Sequence, residues 1–193
     1  MAIFEGKALD EAHAIVARYP QGRERSAVMP LLYLAQSVEG YVTRSGLQEV
    51  ADVLGLKTAE VEAVASFYTM IRLRPTGTHV VSVCTNLACA LRGAKDVYEA
   101  AHVAAGIPHG EELSDDGTIT LHQEECLGAC EKAPVVSVDF LYHDEVTPAR
   151  VAEMIGGLRR GEIPVPSRGE PIRDFRAASR LLAGLELEEA VDA

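Results

Sequence analysis

Apolar positions recur at helical spacing through residues 1 to about 72 and then give way to strand-like alternation. Leu9, Ala12, Val16 and Tyr19 share one face of a first helix that Pro20 stops, and Val28, Leu31, Leu32, Ala35 and Val38 mark a second, ended by Gly40. Pro30 falls early in that second helix, where a missing amide hydrogen costs least. Ser45 is the expected N-cap of a third helix, which carries Leu47, Val50, Ala51 and Leu54 and closes at Gly55. Thr58 opens a fourth, with Val61, Val64, Ala65, Tyr68 and Ile71 as its stripe and Glu60 and Glu62 near the positive end of its dipole. The pattern predicts a four-helix bundle over residues 1–74, with Phe67 and Tyr68 in its core. Helices this short cannot hide every stripe among themselves, so the bundle is expected to offer docking area.

The turn signal Pro75-Thr76-Gly77 opens a second part, residues 75–161. His79 to Val83 reads as a strand that runs into Cys84. Gly93 to Ala105 reads as a helix with Val97, Ala101 and Ala104 on one face, stopped by Gly106-Ile107-Pro108. Residues 109–117 are loop-like. Thr118 to His122 alternates and leads into Cys126, Val135, Val136 and Val138 form a third strand, and Tyr142 to Val146 a fourth. Thr147 caps a last helix with Pro148 at its first position and Val151, Met154, Ile155 and Leu158 facing inward. Strand, helix, three further strands and a closing helix predict a small α/β layer with a cysteine loop at two of its strand ends. From 162 to 193 an extended connector with Pro164, Pro166 and Pro171 precedes an amphipathic helix after Asp174, bearing Phe175, Ala178, Leu181, Leu182 and Leu185; the acidic stretch Glu186 to Ala193 is expected to fray.

A chain of 193 residues can bury a core without disulfides. Its formal net charge of -11 and lack of a basic stripe argue against a nucleic-acid binder, and 5% aromatic residues with no Trp leave no platform for stacking bases. The first residues, Met1 to Lys7, read as neither signal peptide nor membrane span, so a cytoplasmic setting without membrane insertion is the default. In a reducing compartment, paired cysteines serve as metal ligands or redox centres more often than as structural bridges.

All four cysteines lie in two short segments, Cys84-x4-Cys89 and Cys126-x3-Cys130. Four thiolates in two pairs suit a tetrahedral metal or a binuclear iron–sulfur cluster. Structural zinc is the leading alternative, while two disulfides fit the compartment poorly and a thiol–disulfide enzyme would prefer Cys-x-x-Cys. A cluster asks for more than sulfur, since its sulfides need nearby backbone amides. Gly128 lets the second segment come close, and Ala88, Ala90 and Ala129 keep the surroundings small and apolar.

The segments Cys84-x4-Cys89 at a strand end and Glu125-Cys126-Leu127-Gly128-Ala129-Cys130-x2-Ala133-Pro134-Val135 resemble the family of the thioredoxin-like [2Fe-2S] subunit of bacterial respiratory complex I, the NADH:quinone oxidoreductase. Pro30-Leu31-Leu32 with Gly40-Tyr41, Val61-x2-Val64-x2-Phe67-Tyr68 and Thr147-Pro148 resemble the same family, and the likeness spans roughly residues 8 to 160. The resemblance implies a thioredoxin-like ferredoxin domain with a small mixed sheet and one [2Fe-2S] cluster held by Cys84, Cys89, Cys126 and Cys130. It further implies an electron-transfer subunit without a complete active site. FMN and NADH would sit only on a flavoprotein partner, other peripheral-arm subunits would lie nearby, and the location would be the cytoplasmic side of the inner membrane. NAD-linked hydrogenases and formate dehydrogenases use the same fold and are the alternative setting. The turn Asp139-Phe140-Leu141 departs from the family's polar turn, and Asp-Phe lacks the tolerance for positive φ of Asn-Gly.

Other chemistry is thin. His13, His79, His102, His109, His122 and His143 are scattered, and with four thiolates available none is required as a ligand. Gly156 to Gly161 reads as a helix end, and no phosphate loop, nucleophile elbow or His-Glu-x-x-His motif occurs. Glu124 and Glu125 read as surface, although a carboxylate beside a cluster disfavours its reduction.

Overall fold

In the computed structural model, which describes residues 2–108 and 110–187, the helical periodicity of the first part produces α1 (Lys7–Val16), α2 (Val28–Glu39), α3 (Arg44–Leu54) and α4 (Thr58–Phe67). The later pattern gives β1 (His79–Cys84), α5 (Leu87–Leu91), α6 (Ala94–Ala105), β2 (Ile119–Glu124), β3 (Val136–Val138), β4 (Leu141–His143), α7 (Pro148–Arg159) and α8 (Phe175–Leu182). The chain divides into two units, Met1–Pro75 with Arg176–Ala193, and Thr76–Phe175. The segment expected as a separate extension from 162 on therefore belongs partly to each. His109 and residues 188–193 of the acidic stretch lie outside the described residues.

Ile15, Leu31, Leu32, Leu34, Val50 and Val61 are wholly buried in the first unit, each contributing about 1.5–3 kcal/mol of transfer free energy. The third helix is capped by Thr43, not Ser45: Thr43 Oγ1 accepts from Gly46 N at 3.0 Å. The fourth stops earlier than its stripe predicts, because Tyr68 is extended. That corrects the placing of Phe67 and Tyr68 in the core. They are 77% and 45% exposed, packed edge to face on each other with centroids 5.1 Å apart. Part of the missing cover comes from the far end of the sequence. Buried Gln36 donates to Ser179 Oγ of α8 at 3.0 Å and accepts from Arg72 N at 2.7 Å, Arg180 pairs with Glu11, and Arg18 Nη1 donates to the Ala183 carbonyl at 3.1 Å.

The sheet of the second unit has the order β2-β1-β3-β4, with β1 and β2 parallel and the other neighbours antiparallel. A parallel neighbour needs a crossover, and α6 supplies it. Val81, Val83, Ile119, Leu121, Val136 and Val138 pack with Val97 and Ala101 of α6 and with Val151, Met154, Ile155 and Leu158 of α7. Both helices thus share one core with the sheet. Among the described residues no helix is long and apolar enough to cross a membrane.

The β3–β4 connection forms the two-residue hairpin to which its sequence is least suited, with positive φ at both Asp139 (49°) and Phe140 (70°) and Val138 opposite Leu141. Tertiary bonds hold it. The buried Asp139 carboxylate accepts from Val80 N at 2.8 Å and lies 2.7 Å from His79 Nδ1, while Phe140 packs on Phe175 with centroids 5.3 Å apart. Burial raises the Asp139 carboxyl above its usual range despite the His79 bond, which works the other way.

His143 at the end of β4 is also buried. Desolvation, with the Arg150 charge, lowers its pKa to about 4 against the opposing effects of Asp144 and the Val165 backbone. The folded ring stays neutral where an unfolded one, near 6.5, has taken a proton. Between those values the unfolded chain binds more protons, so acid favours unfolding. His143 therefore contributes stability that is complete above about pH 6.5 and lost as pH falls toward about 4. Urea midpoints of the native protein and His143→Leu at about pH 7.5 and about pH 5 should diverge, with the native protein losing more on acidification; an equal loss in both contradicts the assignment.

Candidate metal centre

The cysteine segments meet because β1 and β2 are parallel. Cys84, the last residue of β1, lies opposite Glu124, the last of β2, so both strands deliver their sulfur segments at their carboxyl ends. Sites in α/β sheets form at this edge. Backbone bonds stitch the segments together: Thr85 N to the Glu124 carbonyl at 2.9 Å, and Cys84 N to the Val135 carbonyl at 3.1 Å. Thr85 Oγ1 adds a contact to Glu124 O at 3.3 Å.

Cys89 does not lie on an open loop. It sits on the single-turn helix α5, where the Asn86 side chain accepts from Leu87 N at 2.7 Å. Five residues are too few for periodicity to register, although Asn86 is a recognisable cap. The turn hides Cys89 and leaves Leu87 and Leu91 71% and 79% exposed. In the second segment Gly128 has φ 73°, which favours glycine, and its N–H donates to Cys126 Sγ at 3.4 Å. Cys130 begins a short 3-10 turn that ends at Lys132.

Cys84, Cys89, Ala94, Ala129, Ala133 and Val135 form a small buried cluster with Ala88, Leu127 and Tyr142 packed against it. Cys126 and Cys130 are exposed, so the site has a buried pair and a surface pair. Burial raises the Cys89 thiol to about 11, the hydrogen-bonded Cys84 and the charge of Cys130 add to it, and a Val135 backbone bond opposes it. Cys130 is raised chiefly by the charge of Cys126 and its hydrogen bond, with burial, Cys84 and Glu131 adding. Cys89 and Cys130 so placed resist ionisation until a cation compensates them.

All four sequence-predicted residues are thereby brought to one sheet edge. The side chains pair two by two, and among the described residues no three metal-binding groups converge on a single ion's position. His122 stands apart, 3.2 Å from Glu112 and 3.9 Å from Glu124. Glu125 is exposed, and Glu124 is half-buried with its carbonyl committed to Thr85. Sequence reasoning missed Tyr142, whose hydroxyl donates to the Leu127 carbonyl at 2.6 Å; a lone Tyr on a short strand carries no signal of that. The donor set fits a [2Fe-2S] cluster: four soft thiols in two pairs, a backbone N–H aimed at sulfur, and an apolar wall.

A βαβ unit, an antiparallel hairpin and a closing helix, with paired thiols at the strand ends, define a thioredoxin-like iron–sulfur protein. The thioredoxin-like [2Fe-2S] ferredoxin family model matches residues 12–159. The chain belongs to that family, whose members carry one [2Fe-2S] cluster. It is 46% identical to the E subunit of NADH-quinone oxidoreductase from Mycobacterium bovis over 175 residues, 91% of this chain and 68% of that protein. NADH-quinone oxidoreductase subunit 2 of Thermus thermophilus is 37% identical over 173 residues, 87% of this chain and 94% of that one. Among solved structures, an NAD+-reducing [NiFe]-hydrogenase chain aligns with a TM-score of 0.61 at 20% identity, covering 73% of this chain and 24% of that one; this likeness shows the fold.

In protein stripped of metal, iodoacetamide should modify Cys126 first and Cys130 next, with Cys84 and Cys89 reacting only on denaturation. Peptide mass mapping checks the order, and Cys89 reacting as fast as Cys126 contradicts it.

Proposed function

We propose that the chain is the [2Fe-2S] electron-transfer subunit of an NADH:quinone oxidoreductase, with Cys84, Cys89, Cys126 and Cys130 as the four ligands. The observation that carries this is the meeting of two thiol pairs, from segments about forty residues apart, at one edge of a thioredoxin-like sheet. Two pairs of thiols suit either a binuclear cluster or one zinc ion, and membership of the [2Fe-2S] ferredoxin family favours the cluster. The names of the 46% and 37% identical relatives favour the quinone-linked assembly over a hydrogenase, whose likeness is one of fold.

The bound cluster supplies one-electron redox chemistry. The chain's residues do the rest. Ala88, Ala129, Ala133 and Val135 wall off the Cys84–Cys89 side from water, and the Gly128 N–H donates toward Cys126. Cys126 and Cys130 form the exposed edge through which electrons exchange with a partner. That partner is the FMN- and NADH-binding flavoprotein, because hydride chemistry needs a flavin site and this sequence carries no nucleotide-binding motif. Exposed Leu87 and Leu91 border the same edge, and other peripheral-arm subunits complete the assembly on the cytoplasmic side of the inner membrane.

Anaerobic mixing tests the reading. NADH alone should leave the chain's cluster oxidised, and adding the FMN-bearing partner should reduce it within the time of flavin turnover. Cys84→Ser or Cys130→Ser should abolish or reshape the electron paramagnetic resonance (EPR) signal. Direct reduction by NADH without the flavoprotein sinks the proposal.

A further inference from the structure

Leu127 C=O and Gly128 N–H belong to one peptide group, and the two ends of that group are both engaged. Its oxygen accepts the Tyr142 hydroxyl at 2.6 Å, and its N–H donates to Cys126 Sγ at 3.4 Å. A carbonyl that accepts a strong hydrogen bond draws density from its nitrogen and makes the attached N–H a better donor. Phenol, peptide and sulfur thus form a continuous chain.

The phenol is itself held from a part of the sequence beyond the family match. The Arg168 guanidinium lies 5.5 Å from the Tyr142 ring centroid and donates to both Asp144 oxygens at 2.6 and 2.7 Å. Ser167 N donates to the Tyr142 carbonyl at 2.7 Å, and Ser167 Oγ accepts from Asp144 N at 2.8 Å. The connector is therefore bonded along β4 and its end, with Arg168 over the ring face. A cation there also draws charge from the ring and strengthens the hydroxyl as a donor.

We propose that Tyr142, braced by Arg168, is a positioning residue that sets the reduction potential of the cluster through the Leu127–Gly128 peptide and its N–H bond to Cys126. This rests on the assignment of Cys126 as a cluster ligand. Hydrogen bonds to ligating sulfur favour the reduced, more negative cluster. Weakening the phenol donor lowers the potential, and strengthening it raises the potential.

The experiment is an EPR-monitored redox titration of the holoprotein and its variants. Tyr142→Phe should shift the midpoint to a more negative value and change the g-values, lowering the reduced-to-oxidised ratio at fixed potential by about 2- to 10-fold, the worth of one hydrogen bond. Arg168→Ala should shift it the same way by less, and Arg168→Lys should restore part of it. Native protein with 3-fluorotyrosine at position 142, a stronger donor that keeps the fold, should shift the opposite way. An unchanged midpoint in both Tyr142→Phe and the fluorinated protein overturns the inference, as do shifts of the same sign in the two. Should Tyr142→Phe fail to fold, the fluorinated protein and Arg168→Ala decide the question by the same signs. A native protein with iron and sulfide but unchanged by these substitutions refutes only the tuning role. A native protein without iron or sulfide refutes the ligand assignment beneath it.

Discussion

The parallel pairing of β1 with β2 is the constraint on which the site depends. Two cysteine segments about forty residues apart become neighbours because Cys84 stands opposite Glu124, and one residue of slip would turn the side chains of a strand to the other face. The register is held from both sides. Val81, Val83, Ile119 and Leu121 commit one face to α6 and α7, while the Asp139 carboxylate grips His79 and Val80 at the start of β1. A hydrophobic layer and a buried polar clamp, neither containing a ligand, thus fix where the sulfurs lie.

The electrostatics follow from that placement. Burial makes Cys89 harder to ionise, and the neighbouring Cys126 does the same to Cys130. Such a site is poised for a cationic core that accepts all four as thiolates. Its asymmetry has a functional reading: the Cys84–Cys89 side is sealed by small apolar side chains, while Cys126 and Cys130 reach the surface. A one-electron relay needs both properties, a dry interior that limits reorganisation and an exposed edge that a partner can approach.

Much of this was legible in the residues. The four cysteines, the strands leading into them, Gly128 and the Thr147-Pro148 helix start are local signals, and each has a short-range physical cause. The illegible parts have tertiary causes. Asp139-Phe140 makes a hairpin with positive φ because His79, Val80 and Phe175 hold it there. Tyr68 continues an apolar stripe but leaves the core because the chain turns extended there, and Phe67, the last residue of α4, is exposed beside it. Helix α5 is too short for periodicity to detect, and the α8 contacts with the bundle join residues more than 140 positions apart. Tyr142 and Arg168 matter through a peptide group and a ring face, which no spacing rule encodes.

The assignment of Cys84, Cys89, Cys126 and Cys130 as the ligands of one binuclear iron–sulfur cluster is open to direct measurement. Iron and acid-labile sulfide analysis of anaerobically purified protein, followed by EPR after dithionite reduction, tests it most directly. Two irons and two sulfides per chain with a rhombic S = 1/2 signal are expected; one zinc per chain and no sulfide would contradict the assignment.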